Sequence, residues 1–440
     1  MRAEGGTGGW FVIPAVLILL TLVMMLGGCA SGSSAGSTSA TAPTSSTGAT
    51  TLTTSVTAGS VTTVSTTAPQ IVRIGALFPL TGELAKQGAE CLEGMRLAVD
   101  EVNAAGGIKS LGGIRLELTQ GDSQGDPGNA EKEFTRLVKD EGAVAVVGAY
   151  QSTVAIPAGK TAEDLKTPFV VSTGAANEIT DQNLAYTFRL CPKASWYARD
   201  QVGFLTEGGM PLGVPVTKVV LLHEDGEFGS ETAADQRAYL KEAGIEVVDE
   251  ITYPADQADL SEEIVRIKSE QAQAVLTATY LNDAVLIADS ALSLRLRIPI
   301  IDAGGGTTDA EFLSRAGDSA SSIITELEYC AGTSAVPLEK AYSAAGSGTL
   351  SAAALYSYQA VWLLANALER ASSTEHERLR AALATTAMVP ADHMVLPQSV
   401  LSFDGTGQNR DARLFVAQIQ ASRYVPVWPR EFAQASVVLP

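Results

Sequence analysis

Cysteine and histidine are scarce in this chain of 440 residues, which has four of the first and three of the second. The histidines, His223, His376 and His393, share no short ligand spacing, and no two cysteines stand as CxxC, so the pattern argues against a metal centre. Charge is absent altogether from residues 30–70, where more than half of the side chains are Ser or Thr. Such a stretch cannot bury a core and reads as a flexible tether with a mean reach on the order of 35 Å. Enzyme signatures are missing as well. The GxSxG at residues 32–36 falls inside the tether, where no nucleophile elbow can form, and Gly159, Lys160, Thr161 end like a phosphate loop whose leading glycine is replaced by Val154. These gaps weigh against a hydrolase and against any cofactor, and the expectation is a protein that is not an enzyme. The acidic stretches 122–129 and 404–409 lack the ligand order and closing glutamate of an EF-hand and read as turns and caps.

What is present begins with an almost unbroken apolar run, residues 10–26, that leads into Leu26, Gly27, Gly28, Cys29. A leucine, two small residues and a cysteine after a hydrophobic segment resemble the lipobox of a bacterial lipoprotein. This implies a signal peptide over 1–28, cut before Cys29, and a lipidated tether over 29–70 that holds the rest to a membrane outside the cytoplasm. A plain anchor or a cleaved secretory signal is the alternative, because the run is marginal for spanning a bilayer. The remaining residues are too many for one ordinary core and suggest two lobes. With forty-nine acidic and thirty basic residues, the net charge of −19 sits on the folded body, which makes nucleic acid and anionic lipid poor partners.

After residue 70 the sequence alternates short β-branched runs with amphipathic segments. Residues 71–77 read as a buried strand, followed by a helix with Leu92, Met95, Val99 and Val102 on one stripe. Asp126 and Pro127 open another helix as cap and first-turn residue. Strands over 144–147 and 169–172 flank a helix, and the unit restarts with strands at 219–222, 245–253 and 274–278. Repeated strand and helix imply α/β architecture: two doubly wound lobes with parallel sheets. In such sheets ligands sit beyond the carboxyl ends of the strands. Two loops there suit an anion: Tyr150, Gln151, Ser152 after one strand, and Thr173, Gly174, Ala175, Ala176 after the next, both with small residues and hydroxyls near a helix start. Ordinary capping of strand-to-helix connections is the plainer reading of either loop alone.

Several segments then become recognisable. IVRIGALFPLTGELAKQGAECLEGMRLAVDEVNAAGGI from Ile71, GDSQGDPGNAEKEFTRLV from Gly121, VAVVGAYQS from Val144, YTFRLCP from Tyr186, HEDGEFGSE from His223 and LYSYQAVWLLANALERA from Leu355 resemble, in order, the type I periplasmic binding proteins of the leucine/isoleucine/valine family. The resemblance implies an extracytoplasmic solute receptor of an ABC importer. Its lobes, 71–190 with 331–397 and 191–330 with 398–440, would close on a three-strand hinge over a small polar or anionic ligand. It implies a membrane permease as partner and a monomer as the working form. A ligand-sensing subunit without transport requires the same closure and is the alternative.

By that resemblance Ser152 and the loop of Gly174 to Ala176 would hold a carboxylate, and Tyr280 keeps a second-lobe tyrosine. Three positions depart from the amino-acid-binding pattern: Gln87 replaces an aromatic, Ala176 a threonine and Phe228 a tyrosine. The glutamate that would pair with a ligand ammonium falls at Gly304, so either Asp302 substitutes for it or the ligand lacks an amine. Trp196 is expected as a flat apolar wall, with core packing as the alternative. Cys191 and Cys330 follow two strands expected to cross between the lobes, and a disulfide between them is the further expectation, with two buried thiols as the alternative.

Overall fold

The computed structural model describes residues 71–440 apart from 212, 255–256, 332–334 and 431, so the expected signal peptide, tether and Cys29 lie outside the described residues. The chain begins with β1 (Ile71–Phe78), α1 (Ala85–Ala104), β2 (Arg115–Asp122), α2 (Pro127–Lys139), β3 (Ala143–Gly148), α3 (Ser152–Asp164), β4 (Phe169–Val171), α4 (Glu178–Asp181) and β5 (Thr187–Arg189). Its five strands form one parallel sheet in the order β2-β1-β3-β4-β5. Side chains of β1 alternate between two layers: Val72, Ile74, Ala76 and Phe78 face α1, while Leu77 faces the core that holds Phe134 of α2 and Val154 of α3. Burial on both faces is what a parallel strand with helices above and below it requires. The expected cap is in place, since the Asp126 carboxylate accepts the Asn129 N–H at 2.7 Å.

The second lobe runs through α5 (Ala194–Thr206), β6 (Lys218–Glu224), α6 (Glu227–Glu242), β7 (Glu246–Tyr253), α7 (Ser261–Ser269), β8 (Ala274–Ala278), α8 (Leu281–Ser293), β9 (Ile300–Asp302), α9 (Phe312–Ala316) and β10 (Ile323–Leu327). The chain then returns to the first lobe with α10 (Val336–Ala344), α11 (Ala352–Ala371) and α12 (His376–Ala384), which share the core of β1 and α1. It finishes in the second sheet with β11 (Phe415–Gln420) and β12 (Arg423–Trp428), giving the order β12-β11-β10-β9-β8-β6-β7. That sheet is mixed, not wholly parallel: β11 runs antiparallel to both β10 and β12. A hairpin of two strands needs no crossover helix, so the alternation of strands and helices stops where it begins.

α1 and α11 meet at a point where no side chain fits, because a Cβ on Gly94 would sit 2.1 Å from the Ala354 carbonyl oxygen. The chain passes between the sheets three times, and the first and third passages are bonded to each other. Arg189 N–H donates to Gly407 O (2.9 Å) and Asn409 N–H to Arg189 O (3.0 Å), while Asn409 Nδ2 reaches Leu190 O (2.8 Å) and Gln408 Nε2 reaches Cys191 O (2.9 Å). The expected disulfide is not formed. Cys191 and Cys330 are both buried thiols. The Cys191 backbone carbonyl is taken by Gln408 of the third passage, and its Sγ points at Gly174 O (3.4 Å).

Candidate functional site

A cavity of about 80 Å³ lies between the lobes at the carboxyl ends of both sets of strands. From the first lobe it is lined by Tyr150, Ser152, Thr173 and Ala175 on the loops after β3 and β4, by Gln87 and Glu90 on α1, and by residues 351–353 at the start of α11. Phe228 opens α6 and Tyr280 precedes α8, the strand-to-helix turns of the second lobe, and Tyr197 comes from α5. Gly305, Thr308 and Asp309 follow β9, and Glu328 lies just beyond β10.

The two loops expected to hold an anion are joined to each other. Ser152, 2% exposed, accepts through Oγ the N–H groups of Ala175 (3.2 Å) and Ala176 (3.0 Å). The Thr173 hydroxyl donates to the carbonyls of Ala149 (3.1 Å) and Tyr150 (3.3 Å). From behind, the buried Arg189 guanidinium donates to the carbonyls of Ala175 (2.9 Å) and Ala176 (2.5 Å), to Thr180 Oγ1 (2.8 Å) and to Gln408 Oε1 (2.6 Å). Arg189 thus ties the loop after β4 to the third passage between the lobes. Burial lowers its pKa, and these four acceptors share its charge.

Contacts between the lobes surround the cavity. Gln87 Nε2 donates to Asp309 Oδ2 across it (2.8 Å). Lys86 pairs with Glu311 at one rim (2.5 Å). At another the Asn177 backbone N–H donates to Glu231 and its side chain to Asp235 (2.5 Å). The aromatic lining is continuous: ring centroids of Tyr197 and Phe228 lie 6.1 Å apart, of Phe228 and Tyr280 6.0 Å, and of Tyr280 and Tyr150 6.4 Å. Burial pushes the Glu328 carboxyl up to about 8, outweighing the hydroxyl that Tyr197 donates to it, and pushes Glu90 up to about 6.

Of the residues singled out in the sequence, Gln87, Tyr150, Ser152, Thr173, Ala175, Phe228 and Tyr280 come together at this cavity. The others stand behind it. Gln151 precedes α3 and faces Gly125. Gly174 and Ala176 turn their carbonyls to Cys191 and Arg189. Trp196 packs beside the lining under the Arg199 guanidinium, 5.7 Å from its ring, and the neighbouring Tyr197 forms the wall. Asp302 does not reach the cavity: its carboxylate accepts hydroxyls of Thr277 (2.6 Å), Thr279 (3.0 Å) and Thr307 (2.7 Å), and burial raises it to about 7. Gly304, at φ 92°, turns the chain so that Gly306 can pass against the Tyr280 carbonyl, where a Cβ would lie 2.0 Å away.

Sequence reasoning missed Glu90, Tyr197, Asp309 and Glu328. A signal was present for the last, because Glu326 and Glu328 interrupt an otherwise apolar run entering the second passage, where a solvated pair of carboxylates is out of place.

Two α/β lobes with three connections and a cavity between them define a binding protein of hinged type, and the chain belongs to the periplasmic binding protein family, whose pattern it matches over residues 71–423. It is a binding protein and not an enzyme. Among relatives, it is 31% identical over 384 residues to the Leu/Ile/Val-binding protein homolog 8 of Brucella abortus, covering 84% of this chain and 94% of that one. Its fold matches the branched-chain amino acid transporter substrate binding protein of Streptococcus pneumoniae in complex with isoleucine (24% identity, TM-score 0.72, 84% of this chain and 100% of that one). It also matches an ABC transporter solute binding protein from R. palustris in complex with benzoate (19% identity, TM-score 0.71, 84% and 100%).

Proposed function

We propose that the chain is the solute-binding subunit of an ABC importer, anchored by a lipid on Cys29 outside the cytoplasm, which closes over one small polar solute and presents the closed form to a membrane permease. The observation that carries this reading is the cavity between the lobes, crossed by Gln87 and Asp309 and rimmed by bonds between the lobes. Those bonds exist only when the lobes meet, so a ligand that fills the cavity favours closure by its differential affinity for that state. An amino acid is the first class of ligand to test, in keeping with relatives described as Leu/Ile/Val-binding. A flat aromatic acid is the second, favoured by the aromatic walls and by the neighbour holding benzoate.

The test is a thermal-shift titration with amino acids, amides and small aromatic and aliphatic acids, followed by small-angle scattering with each binder. Compaction on binding is expected, and a binder that leaves the scattering profile unchanged would remove the closure mechanism. Labelling with a palmitate analogue, lost in Cys29→Ala, checks the anchor.

A further inference from the structure

Three buried carboxyls of the second lobe, Glu224, Asp283 and Asp302, stand behind the cavity, and each is bonded to a turn that lines it. Glu224 accepts the Gly226 N–H on one oxygen and the Gly229 N–H on the other (2.5 Å). Phe228, between those two donors, presents its ring to the cavity. Asp283 accepts the Tyr280 N–H (2.9 Å) and the Tyr253 hydroxyl (2.6 Å), and Tyr280 is the neighbouring ring of the wall. Asp302 takes the Thr277 and Thr279 hydroxyls on one oxygen and the Thr307 hydroxyl on the other. The Thr279 carbonyl in turn receives the Gly306 N–H (2.8 Å), beside Gly305 at the cavity.

Room for Glu224 is built into its own turn. A Cβ on Gly226 would lie 2.7 Å from Glu224 Oε2, and one on Gly229 would lie 2.8 Å from Oε1 and 2.3 Å from the Glu224 carbonyl oxygen. The hydroxyls on Asp283 and Asp302 can rotate to accept a proton, but both partners of Glu224 are backbone N–H groups, which only donate. A proton on Glu224 therefore displaces one of the two donors that bracket Phe228. Burial raises Glu224 to about 7, and Asp283 beside it adds to the rise while His223 opposes it. The other titratable groups around the three carboxyls are Glu227 at the head of α6, Tyr253 on β7, Tyr280 before α8, Glu326 on β10 and Tyr424 on β12, and none of these brings a positive charge.

We propose that Glu224 is a positioning residue for the solute: its ionised carboxylate holds the Phe228 turn in the shape that closes the cavity, and a proton on it loosens that turn and releases the solute. Asp283 and Asp302 support the two neighbouring turns. This rests on the solute-receptor reading and adds to it a release by acid that does not depend on which solute is carried, because Glu224 acts through the wall and not on the ligand. A group that titrates near 7 passes from about nine-tenths ionised at pH 8 to about one-tenth at pH 6, so the ionised turn becomes about 10-fold scarcer across that span.

The test is amide hydrogen exchange on the full chain at pH 8 and pH 6, corrected for the intrinsic rate, together with calorimetry of L-isoleucine and benzoate at both values. Protection of residues 226–229 should fall about 10-fold from pH 8 to pH 6 while that of β3 in the first lobe holds. Glu224→Gln, which turns an amide N–H₂ toward one of the two backbone donors, should show the low protection at both values. A solute that binds at pH 8 should weaken on going to pH 6 by about 10-fold more in the unaltered protein than in Glu224→Gln. Glu90 and Glu328, which line the cavity and titrate as well, are present in both proteins, so the difference isolates Glu224. Protection that ignores pH in the unaltered protein overturns the proposal and leaves Glu224 a structural cap, a result that stands even where the variant fails to fold. Equal weakening of the solute in the two proteins overturns the release and leaves the receptor reading intact. If neither solute binds at either pH, the receptor reading falls for both classes and the release falls with it, while exchange still decides whether Glu224 positions the turn.

Discussion

Replacing Glu328 by glutamine should change how the stability of the ligand-free protein depends on pH. The Glu328 carboxyl faces the Tyr197 hydroxyl from α5, Cys191 on the first passage and Tyr356 on α11, with no cation against it among the described residues, and burial raises it to about 8 from an ordinary 4.5. Between those values the folded protein holds a proton that the unfolded chain has released. The stabilisation is therefore complete below about 4.5 and is lost as the pH rises through about 8. From pH 6 to pH 8 the protonated form's advantage falls about 50-fold, a loss of about 2 kcal/mol from this one group. Glu224 and Asp302, each raised to about 7, drive stability in the same direction but remain in the variant, so the difference between the two proteins isolates Glu328. Urea denaturation at pH 6, 7 and 8 measures it: the unaltered protein should lose about 2 kcal/mol more than Glu328→Gln over that span. Parallel curves would refute the assignment of a neutral buried carboxyl there.

Arg189→Lys keeps a charge but not the fork that reaches four acceptors, and should cost about 2–4 kcal/mol in chemical denaturation; an unchanged midpoint would contradict the tie between loop and passage. Ser152→Ala strands the buried amides of Ala175 and Ala176 and should cost about 1–3 kcal/mol, with faster hydrogen exchange at those two residues; unaltered exchange would show that the loop is held by other means. Glu326, fully buried with neither carboxylate oxygen bonded among the described residues, works against folding, so Glu326→Met should raise stability by about 1 kcal/mol. A lower melting temperature in that variant would count against the reasoning.

The periodicities that betrayed β1 and the stripe of α1 are local, and a short stretch of sequence contains them whole. So do the strand-to-helix turns that placed Ser152, Phe228 and Tyr280 at one end of the sheets. The hairpin of β11 and β12 carries no such rhythm beside a helix, and its antiparallel course follows only from its place at the edge of a sheet already built. Trp196 and Tyr197 differ by one helical step, about 100° around the axis, and sequence alone could not fix the phase of α5 against the cavity. Glu90 stands far from Asp309 and Glu328 along the chain and joins them at the cavity only because the passages bring the lobes together. Whether Cys191 and Cys330 would bond or stay as buried thiols was equally beyond local sequence, because neither residue's neighbours along the chain fix the distance between them; both are thiols.

The close approach of Gly94 on α1 to Ala354 on α11 has a bearing on how the molecule is made. α1 is synthesised long before the partner that covers its buried stripe, which follows the whole run from β6 to β10. Until α11 emerges, the first lobe presents Leu92, Met95 and Val99 to whatever surrounds the nascent chain. The second sheet waits too, for the hairpin at the far end. Contacts of such sequence separation slow folding and prolong the exposure of apolar surface. The first lobe therefore starts early and finishes late, and a chain cut short before residue 352 would leave both lobes unfinished.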